Sequence, residues 1–214
     1  MSSERDFMLV EQLHQRLKAP LPGAGAQWLM AAVPEGNKSF DFDYEEPPVE
    51  SSVMILLFRR HDAYYFPLIR RSEYGGVHGG QIGLPGGKYE PEDTDRVDTA
   101  FRETHEELGI DMEEVRLIGN LSELYIRASN YNVLPVIGFL PRVPVYQPDP
   151  VEVSGVIECN LDLLLNDQIA GKKILTGRNG IRIIAPYYDI ANQVVWGATA
   201  MILCEFKTIL REIH

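Results

Sequence analysis

Three glutamates in one short segment have a spacing that would let them act together. Glu103, Glu106 and Glu107 stand at positions i, i+3 and i+4, so on an α-helix their carboxylates share one face. Like charges at this spacing repel each other by roughly 0.2–0.5 kcal/mol per pair, so a helix selected only for stability would avoid them. Because Mg²⁺ takes carboxylate and phosphate oxygens as ligands, the spacing indicates a metal site for phosphate chemistry. An ordinary solvated acidic face is the alternative interpretation.

The residues around these glutamates predict the helix that would position them. Thr94 or Asp95 is suited to cap its start, and Gly109 stands where a helix would end. The opposite face is suited to burial, with Val97, Ala100, Phe101, Thr104 and Leu108. We therefore expect an amphipathic helix that packs on the protein through this face and leaves its acidic face for a ligand.

The segment that carries these glutamates resembles the box of the Nudix hydrolases, which reads G-x5-E-x7-R-E-U-x-E-E-x-G-U with U an aliphatic residue. Thr104 replaces the aliphatic residue, and the span from the first glycine to the arginine is one residue longer than in the pattern. The first acid of the box is therefore Asp93 or, as the weaker candidate, Glu92. The positions that match are Gly87, Arg102, Glu103, Glu106, Glu107, Gly109 and Ile110.

This resemblance implies an α+β fold, an α/β/α sandwich with a mixed central sheet and the box helix packed on it. It also implies an acid anhydride hydrolase that cleaves pyrophosphate bonds with Mg²⁺, or with Mn²⁺ in its place. The metal ligands would be Glu103, Glu106 and Glu107, and the last two would also take part in catalysis. Asp93 would complete or orient the acidic cluster. Arg102 would serve catalysis by holding a carboxylate with paired hydrogen bonds rather than by touching substrate.

The segment before the box narrows the substrate. Residues 67–87 resemble L-L-T-x-R-S-x3-R-x3-G-x3-F-P-G-G, which precedes the box in the coenzyme A pyrophosphatase branch of the family. Ile69 stands in place of Thr, Gly76 in place of the second Arg and Leu84 in place of Phe. The branch resemblance implies cleavage of coenzyme A or its derivatives to 4′-phosphopantetheine and adenosine 3′,5′-bisphosphate. The matching positions are Leu68, Arg71, Ser72, Gly80, Pro85, Gly86 and Gly87.

Several residues near the box are candidates for substrate binding. Arg71 and Lys88 could each pair with a ligand phosphate, although Arg71 could equally be an exposed charge at a strand end. Gly86 and Gly87 would let the backbone approach a phosphate-bearing ligand, whereas a plain loop is the alternative. His78 could contact the ligand or stabilise its loop by a hydrogen bond.

The general base is expected outside the box, as in many Nudix enzymes. Its position does not follow from the motif, so placement along the chain is the only guide. Glu152, between a proline-rich loop and a strand, is the first candidate, and Glu123 is the second. Each could instead be an ordinary surface residue.

Composition limits the other classes of function. With 214 residues, 45% of them hydrophobic and 24% charged, the chain suits a soluble globular protein. Its net charge of −11 argues against a surface for nucleic acid. The two cysteines, Cys159 and Cys204, form no disulfide framework, which is typical of the cytoplasm. Neither a membrane-length apolar run nor a signal peptide is visible, so we expect a cytoplasmic protein without a membrane partner.

Hydrophobic periodicity predicts the remaining elements. We expect an N-terminal helix with an irregular extension, 1–48, followed by a Nudix hydrolase domain, 49–214. The predicted helices are 4–18, the box helix, 161–165 and 198–213, and the predicted strands are 52–59, 64–70, 114–125, 132–140, 151–158, 172–176 and 181–187. Pro135 indicates that its strand is an edge strand or contains a bulge.

Three functions are compatible with these features. The first is Mg²⁺-dependent hydrolysis of coenzyme A, and the second is the same reaction on another nucleoside diphosphate derivative, such as ADP-ribose or a dinucleoside polyphosphate. The third is a non-catalytic domain that senses a nucleotide. Such domains typically lose box glutamates, and all three are present here, which favours an enzyme. The family resemblance also implies a homodimer.

Overall fold

The computed structural model describes residues 8–36, 44–72, 80–176 and 182–213. The predictions for His78, for Gly76 and for the turn at 177–180 lie outside these residues. The helices are α1 (Met8–Arg16), α2 (Ala24–Gln27), α3 (Arg96–Leu108), α4 (Leu161–Leu165) and α5 (Gly197–Ile213), with 3₁₀ turns at Trp28–Met30, Met112–Glu114 and Asp167–Ile169. The strands are β1 (Val33–Pro34), β2 (Val49–Arg60), β3 (Ala63–Arg71), β4 (Ile82–Gly83), β5 (Gly86–Lys88), β6 (Arg116–Asn120), β7 (Leu124–Ile126), β8 (Tyr131–Leu140), β9 (Val153–Asn160), β10 (Ala170–Thr176), β11 (Arg182–Ile190) and β12 (Gln193–Trp196).

The larger sheet is built around β2, which is apolar on both faces. Met54, Leu56 and Phe58 alternate along it with Ile55 and Leu57, and all five are fully buried. A strand of this kind must have packed layers above and below it. β2 runs parallel to β8 and antiparallel to β3. The strand order is β4–β3–β2–β8–β6, with β5 also paired to β2, β7 to β8 and β9 to β3.

Helices cover this mixed sheet on both faces. Ala100 and Leu108 of α3 pack with Met54, Leu56 and Phe58 on one face. On the other face, Phe206 of α5 meets Phe66 of β3 edge to face, with ring centroids 6.4 Å apart. The prediction of an α+β fold with a mixed sheet and the box helix packed on it is therefore confirmed.

A smaller antiparallel sheet lies beside the first and shares its core. β11 pairs with β1, β10 and β12, and Tyr188, Ile190 and Val195 from this sheet join the core cluster that contains α5. The predicted pairing of the strands near 172–176 and 181–187 is seen here, over longer spans. β12 was not expected from the sequence.

The N-terminal segment packs against α5 and is more ordered than the sequence indicates. Residues 24–34 form α2, a 3₁₀ turn and β1, although the region was expected to be irregular. Fully buried Glu205 of α5 accepts hydrogen bonds from the Gly23 N–H at 2.9 Å and from Gln27 Nε2 at 2.8 Å. The division of the chain at residue 48 stays a prediction. Among the described residues no helix has the length and apolarity to cross a membrane.

The prediction that Pro135 could mark an edge strand is wrong. β8 has partners on both sides, β2 on one and β6 followed by β7 on the other. Pro135 lies where the second partner changes from β6 to β7, and its carbonyl accepts a hydrogen bond from the Leu121 N–H at 2.9 Å. The strand predicted over 114–125 is accordingly two strands.

Candidate active site

Helix α3 begins and ends at capping residues that the sequence identifies. Of the two expected caps it is Asp95 that acts, since its Oδ1 accepts from the N–H groups of Val97 and Asp98 at 2.8 and 2.9 Å. Gly109 adopts the left-handed conformation with φ 66°, and its N–H donates to the His105 carbonyl at 2.7 Å. Both ends satisfy backbone groups that a helix terminus would otherwise leave unpaired. These caps therefore fix where the helix begins and ends.

Asp93 binds Arg102 through both of its carboxylate oxygens. The Arg102 Nε lies 2.7 Å from Oδ1, and Nη2 lies 3.0 Å from Oδ2. Oδ2 also accepts from the Thr99 hydroxyl at 2.8 Å and from the Glu90 N–H at 3.0 Å. These hydrogen bonds, those from Arg102 first, hold the pKa of the buried Asp93 carboxyl well below its usual range. Glu92, the other candidate for the first box acid, is exposed.

Arg102 uses its remaining donors on two box glutamates and on the neighbouring strand. Its Nη1 lies 3.0 Å from Glu103 Oε1 and 3.0 Å from Glu106 Oε2. Its Nη2 also donates to the Lys88 carbonyl of β5 at 2.9 Å. The hydrogen bonds that the guanidinium donates to Asp93 are the main cause of its raised pKa. Arg102 thus makes the paired carboxylate contacts expected of it and gathers three acids around one cation.

Glu107 is held by a second arginine in a closed ring of hydrogen bonds. Its Oε1 accepts from Arg71 Nη1 at 3.0 Å, and its Oε2 accepts from the Gly86 N–H at 2.8 Å. Arg71 Nη2 closes the ring by donating to the Gly86 carbonyl at 2.8 Å. Burial raises the pKa of Glu107 to about 7, aided by the charges of Glu103 and Glu152 and opposed by Arg71 and the Gly86 N–H.

The two glycines at the start of the box are needed for close contacts within the protein. Gly86 has φ 145°, and a Cβ there would lie 2.2 Å from the Ser52 carbonyl oxygen of β2. A Cβ on Gly87 would lie 2.3 Å from Glu103 Oε1. Any side chain at either position would displace the strand or the carboxylate. The observed close approach is thus to β2 and Glu103, whereas the expected approach to a ligand phosphate stays a prediction.

The donor set has the chemistry that a hard divalent cation requires. Burial raises the pKa of Glu103 as well, and the charges of Glu106 and Glu152 raise it further, so these carboxylates destabilise one another when ionised. Added positive charge would relieve this repulsion. No group of three or more His, Cys, Asp or Glu side chains converges as metal ligands among residues 8–36, 44–72, 80–176 and 182–213. Each box glutamate instead contacts an arginine, and the metal ligand set stays a prediction.

Three further predicted site residues, Glu152, Glu123 and Lys88, are exposed at the surface. Glu152 is exposed in the turn before β9, and its carbonyl accepts from the Ser72 N–H at 2.8 Å. Glu123 instead forms an ion pair with Arg96, which is the main cause of its lowered pKa. Lys88 is exposed on β5, with Nζ 6.0 Å from the centre of the Tyr131 ring.

Two features of the site were missed in the sequence. Thr99 supports Asp93 from the first turns of α3, and no spacing rule connects these residues. Arg71 was expected to meet a ligand phosphate, yet in the structure it contacts Glu107, which lies 36 positions further along the chain. Only the packing of β3 beside α3 reveals this contact.

The chain is similar to known proteins both in sequence and in fold. A family model described as the NUDIX domain matches residues 48–173. A protein of Yersinia pestis (strain Pestoides F) named uncharacterized Nudix hydrolase NudL is 36% identical over 139 residues, which are 64% of this chain and 67% of that protein. The protein of the same name from Yersinia pseudotuberculosis serotype O:1b (strain IP 31758) has the same identity and coverage.

One solved structure resembles the fold over most of its length. The crystal structure of a Nudix hydrolase from M. smegmatis, RenU, superposes with a TM-score of 0.55 and covers 79% of this chain and 89% of that one. At 14% sequence identity this likeness concerns the fold alone.

Loss of the Asp93 carboxylate should weaken the fold in a pH-dependent way. Because its pKa is lowered on folding, Asp93 stabilises the protein above its unfolded pKa of about 4, and this contribution is lost as the pH falls through the folded value. Asp93→Asn should therefore cost about 3 kcal/mol at pH 7, a fall in Tm of roughly 6–12 °C, and about 1 kcal/mol less at pH 3, where the carboxyl is still ionised in the folded state but mostly protonated in the unfolded state. Thermal unfolding at both pH values measures the difference.

Asp62→Asn is the matched control, because it removes a fully exposed partner of Arg59. It should change the free energy of unfolding by less than about 0.5 kcal/mol at either pH. Equal losses for Asp93→Asn at pH 7 and pH 3 would contradict the role given to its ionised carboxylate.

Proposed function

The chain belongs to the Nudix family and is a pyrophosphohydrolase, and from this premise we propose that it hydrolyses coenzyme A or a derivative of it. Water would enter the pyrophosphate bridge and give 4′-phosphopantetheine, or its acyl form, and adenosine 3′,5′-bisphosphate. The proposal assigns the chain to the coenzyme A pyrophosphatase branch of the family. It concerns the substrate, since the bond type follows from the family.

The observation that supports this substrate is the contact between Arg71 and Glu107. Arg71 belongs to the segment that resembles the coenzyme A branch, and Glu107 belongs to the box. The two segments therefore contact each other, which supports the proposal that residues of the first select the substrate. Two departures from the branch pattern, Ile69 and Leu84, are buried in the core, so they alter packing rather than substrate contacts.

The box glutamates Glu103, Glu106 and Glu107 would hold the metal, which we propose is Mg²⁺ with Mn²⁺ as the alternative. Nudix hydrolases generally use divalent cations, and such an ion, when bound, neutralises phosphate charge and polarises water. The protein's own part is to place the ligands. Arg102 orients Glu103 and Glu106, while Arg71 and the Gly86 N–H orient Glu107.

We assign the general base to Glu152. Its charge acts on both Glu103 and Glu107, so it lies close to the cluster, and no hydrogen-bond partner for its carboxylate is found among the described residues. Glu123 is less suited, because Arg96 and Asn132 hold its carboxylate. Water would attack one bridge phosphorus, its proton would pass to Glu152, and the bridging oxygen would leave with the other phosphate.

Substrate contacts by Arg71, Gly86, Gly87, Lys88 and His78 are part of the proposal. Lys88 is exposed and its ammonium is available to a phosphate, whereas Arg71 would act mainly through Glu107. His78 lies outside the described residues. A homodimer and a cytoplasmic location also stay predictions, drawn from the sequence alone.

A substrate panel tests the proposed branch. At one Mg²⁺ concentration, kcat/KM for coenzyme A should exceed that for ADP-ribose and for dinucleoside polyphosphates by at least about tenfold. The reason is that residues 67–87 resemble the segment found in enzymes that cleave coenzyme A. Chromatography of the products measures each rate. Glu106→Gln is the control for contaminating hydrolases and should lose activity on every substrate. A clear preference for either of the other substrates would overturn the coenzyme A assignment.

The general base can be tested by removing its charge. Glu152→Gln should lower kcat for coenzyme A by at least about 100-fold with little change in KM, since the variant keeps the shape but cannot accept the proton. Glu123→Gln is the matched control and should keep near-normal kcat. Steady-state kinetics at pH 8 compares the two variants. If Glu152→Gln retains most of the wild-type rate, Glu152 is not the base.

A further inference from the structure

A β-bulge lies where β3 leaves the central sheet toward the box. Along β3 and β9, Arg70 pairs with Gly155, but the next residue, Arg71, pairs with Val153. Ser154 is therefore an extra residue on β9, and its hydroxyl donates to the Arg70 carbonyl at 3.1 Å. Successive side chains of a regular strand point to opposite faces, whereas a bulge re-aims them. Here the two arginines line the same cavity.

This cavity has a volume of about 550 Å³ and lies next to the acidic cluster. Arg71 connects the two, because it lines the cavity and also donates a hydrogen bond to Glu107. The lining combines two arginines and two serines with glycines and aliphatic residues, namely Arg70, Arg71, Ser72, Gly80, Ser154, Gly155, Val156 and Ile157. No acidic side chain is among the described lining residues.

Arg70 carries a charge that the described part of the protein does not neutralise. Most arginines there form ion pairs with acids, as expected in a chain with net charge −11. Arg71 is one of them, because Glu107 and the Gly86 carbonyl occupy its guanidinium. Arg70 is exposed, and neither its guanidinium nor the Ser72 hydroxyl has a partner among the described residues. A guanidinium and a hydroxyl that line one cavity, both without a partner among the described residues, form a donor arrangement that phosphate recognition uses.

We propose that this cavity binds a phosphomonoester of the substrate, with Arg70 as its main cation and Ser72 as a hydroxyl donor. The inference rests on the proposed function, since coenzyme A carries such a group, the 3′-phosphate, on the same nucleotide as the scissile bridge. Binding of this phosphate at Arg70 would place the adenosine side of the bridge toward Glu107. Arg70 is thus a specificity-determining residue that stands at an unspecified position of the branch pattern.

The kinetic test compares coenzyme A with 3′-dephospho-coenzyme A. For wild type, KM should be lower for coenzyme A. Arg70→Gln should raise KM for coenzyme A at least about tenfold, the loss expected for a charge-assisted hydrogen bond, and leave kcat unchanged within about twofold. The same variant should leave KM for 3′-dephospho-coenzyme A unchanged. Arg70→Lys keeps the positive charge but lacks the planar guanidinium, so its KM for coenzyme A should lie between those of wild type and Arg70→Gln.

Arg127→Gln is the matched control, because Arg127 is also exposed and does not line the cavity. It should leave KM for both substrates unchanged. Equal changes for coenzyme A and its 3′-dephospho form in Arg70→Gln, or no change for either, would overturn the proposal.

A binding experiment separates this inference from the coenzyme A assignment. In calorimetry, wild type should bind adenosine 3′,5′-bisphosphate at least about tenfold more tightly than AMP, and Arg70→Gln should remove this difference. If the protein fails to cleave coenzyme A yet shows this Arg70-dependent difference, the cavity assignment stands and the substrate assignment falls. If coenzyme A is cleaved but the two nucleotides bind equally to wild type, the cavity assignment is overturned.

Discussion

The site depends on holding several carboxylates close together at the edge of a low-dielectric core. Asp93, Glu103, Glu106 and Glu107 would repel one another and would be costly to bury if left alone. Two arginines from different parts of the chain solve this problem: Arg102 binds the first three acids, and Arg71 binds the fourth. The arginines do not stabilise all of these carboxylates equally, because the pKa of Asp93 is lowered while that of Glu107 is raised to about 7. Acids of this kind are suited to exchange an arginine contact for a bound cation.

The fold supplies the rigid parts that this arrangement requires. β2 is packed on both faces, and it positions β5, whose glycines allow the box carboxylates to approach the backbone. α3 packs on β2 through Ala100 and Leu108, and its glutamates range from buried Glu107 to exposed Glu106. β3 then brings Arg71 to Glu107, and Ser154, the bulged residue of the neighbouring β9, lines the cavity next to the cluster. The same strand therefore supports the chemistry and provides the candidate phosphate site.

Structural features that depend on neighbouring residues could be predicted from the sequence, whereas contacts between distant segments could not. The bounds of α3, its cap at Asp95 and its end at Gly109 follow from side-chain spacing and backbone preference. The hairpin of β2 and β3 follows from two apolar runs around a short turn. No such rule links Arg71 to Glu107, or reveals a bulge at Ser154, because both depend on how distant strands align. In the N-terminal segment Met30 is buried whereas its apolar neighbours Trp28 and Leu29 are exposed, a difference that residue type alone does not reveal.

The central claim is that the upstream segment and the box form one unit through the contact between Arg71 and Glu107. A double-mutant cycle with Arg71→Gln and Glu107→Gln measures it directly, by chemical unfolding at pH 8 without added metal, where the Glu107 carboxylate is ionised. We predict a coupling free energy of about 1–3 kcal/mol for this pair and less than about 0.5 kcal/mol for Arg71 with Glu106. Additive losses of stability for Arg71 and Glu107 would contradict the account.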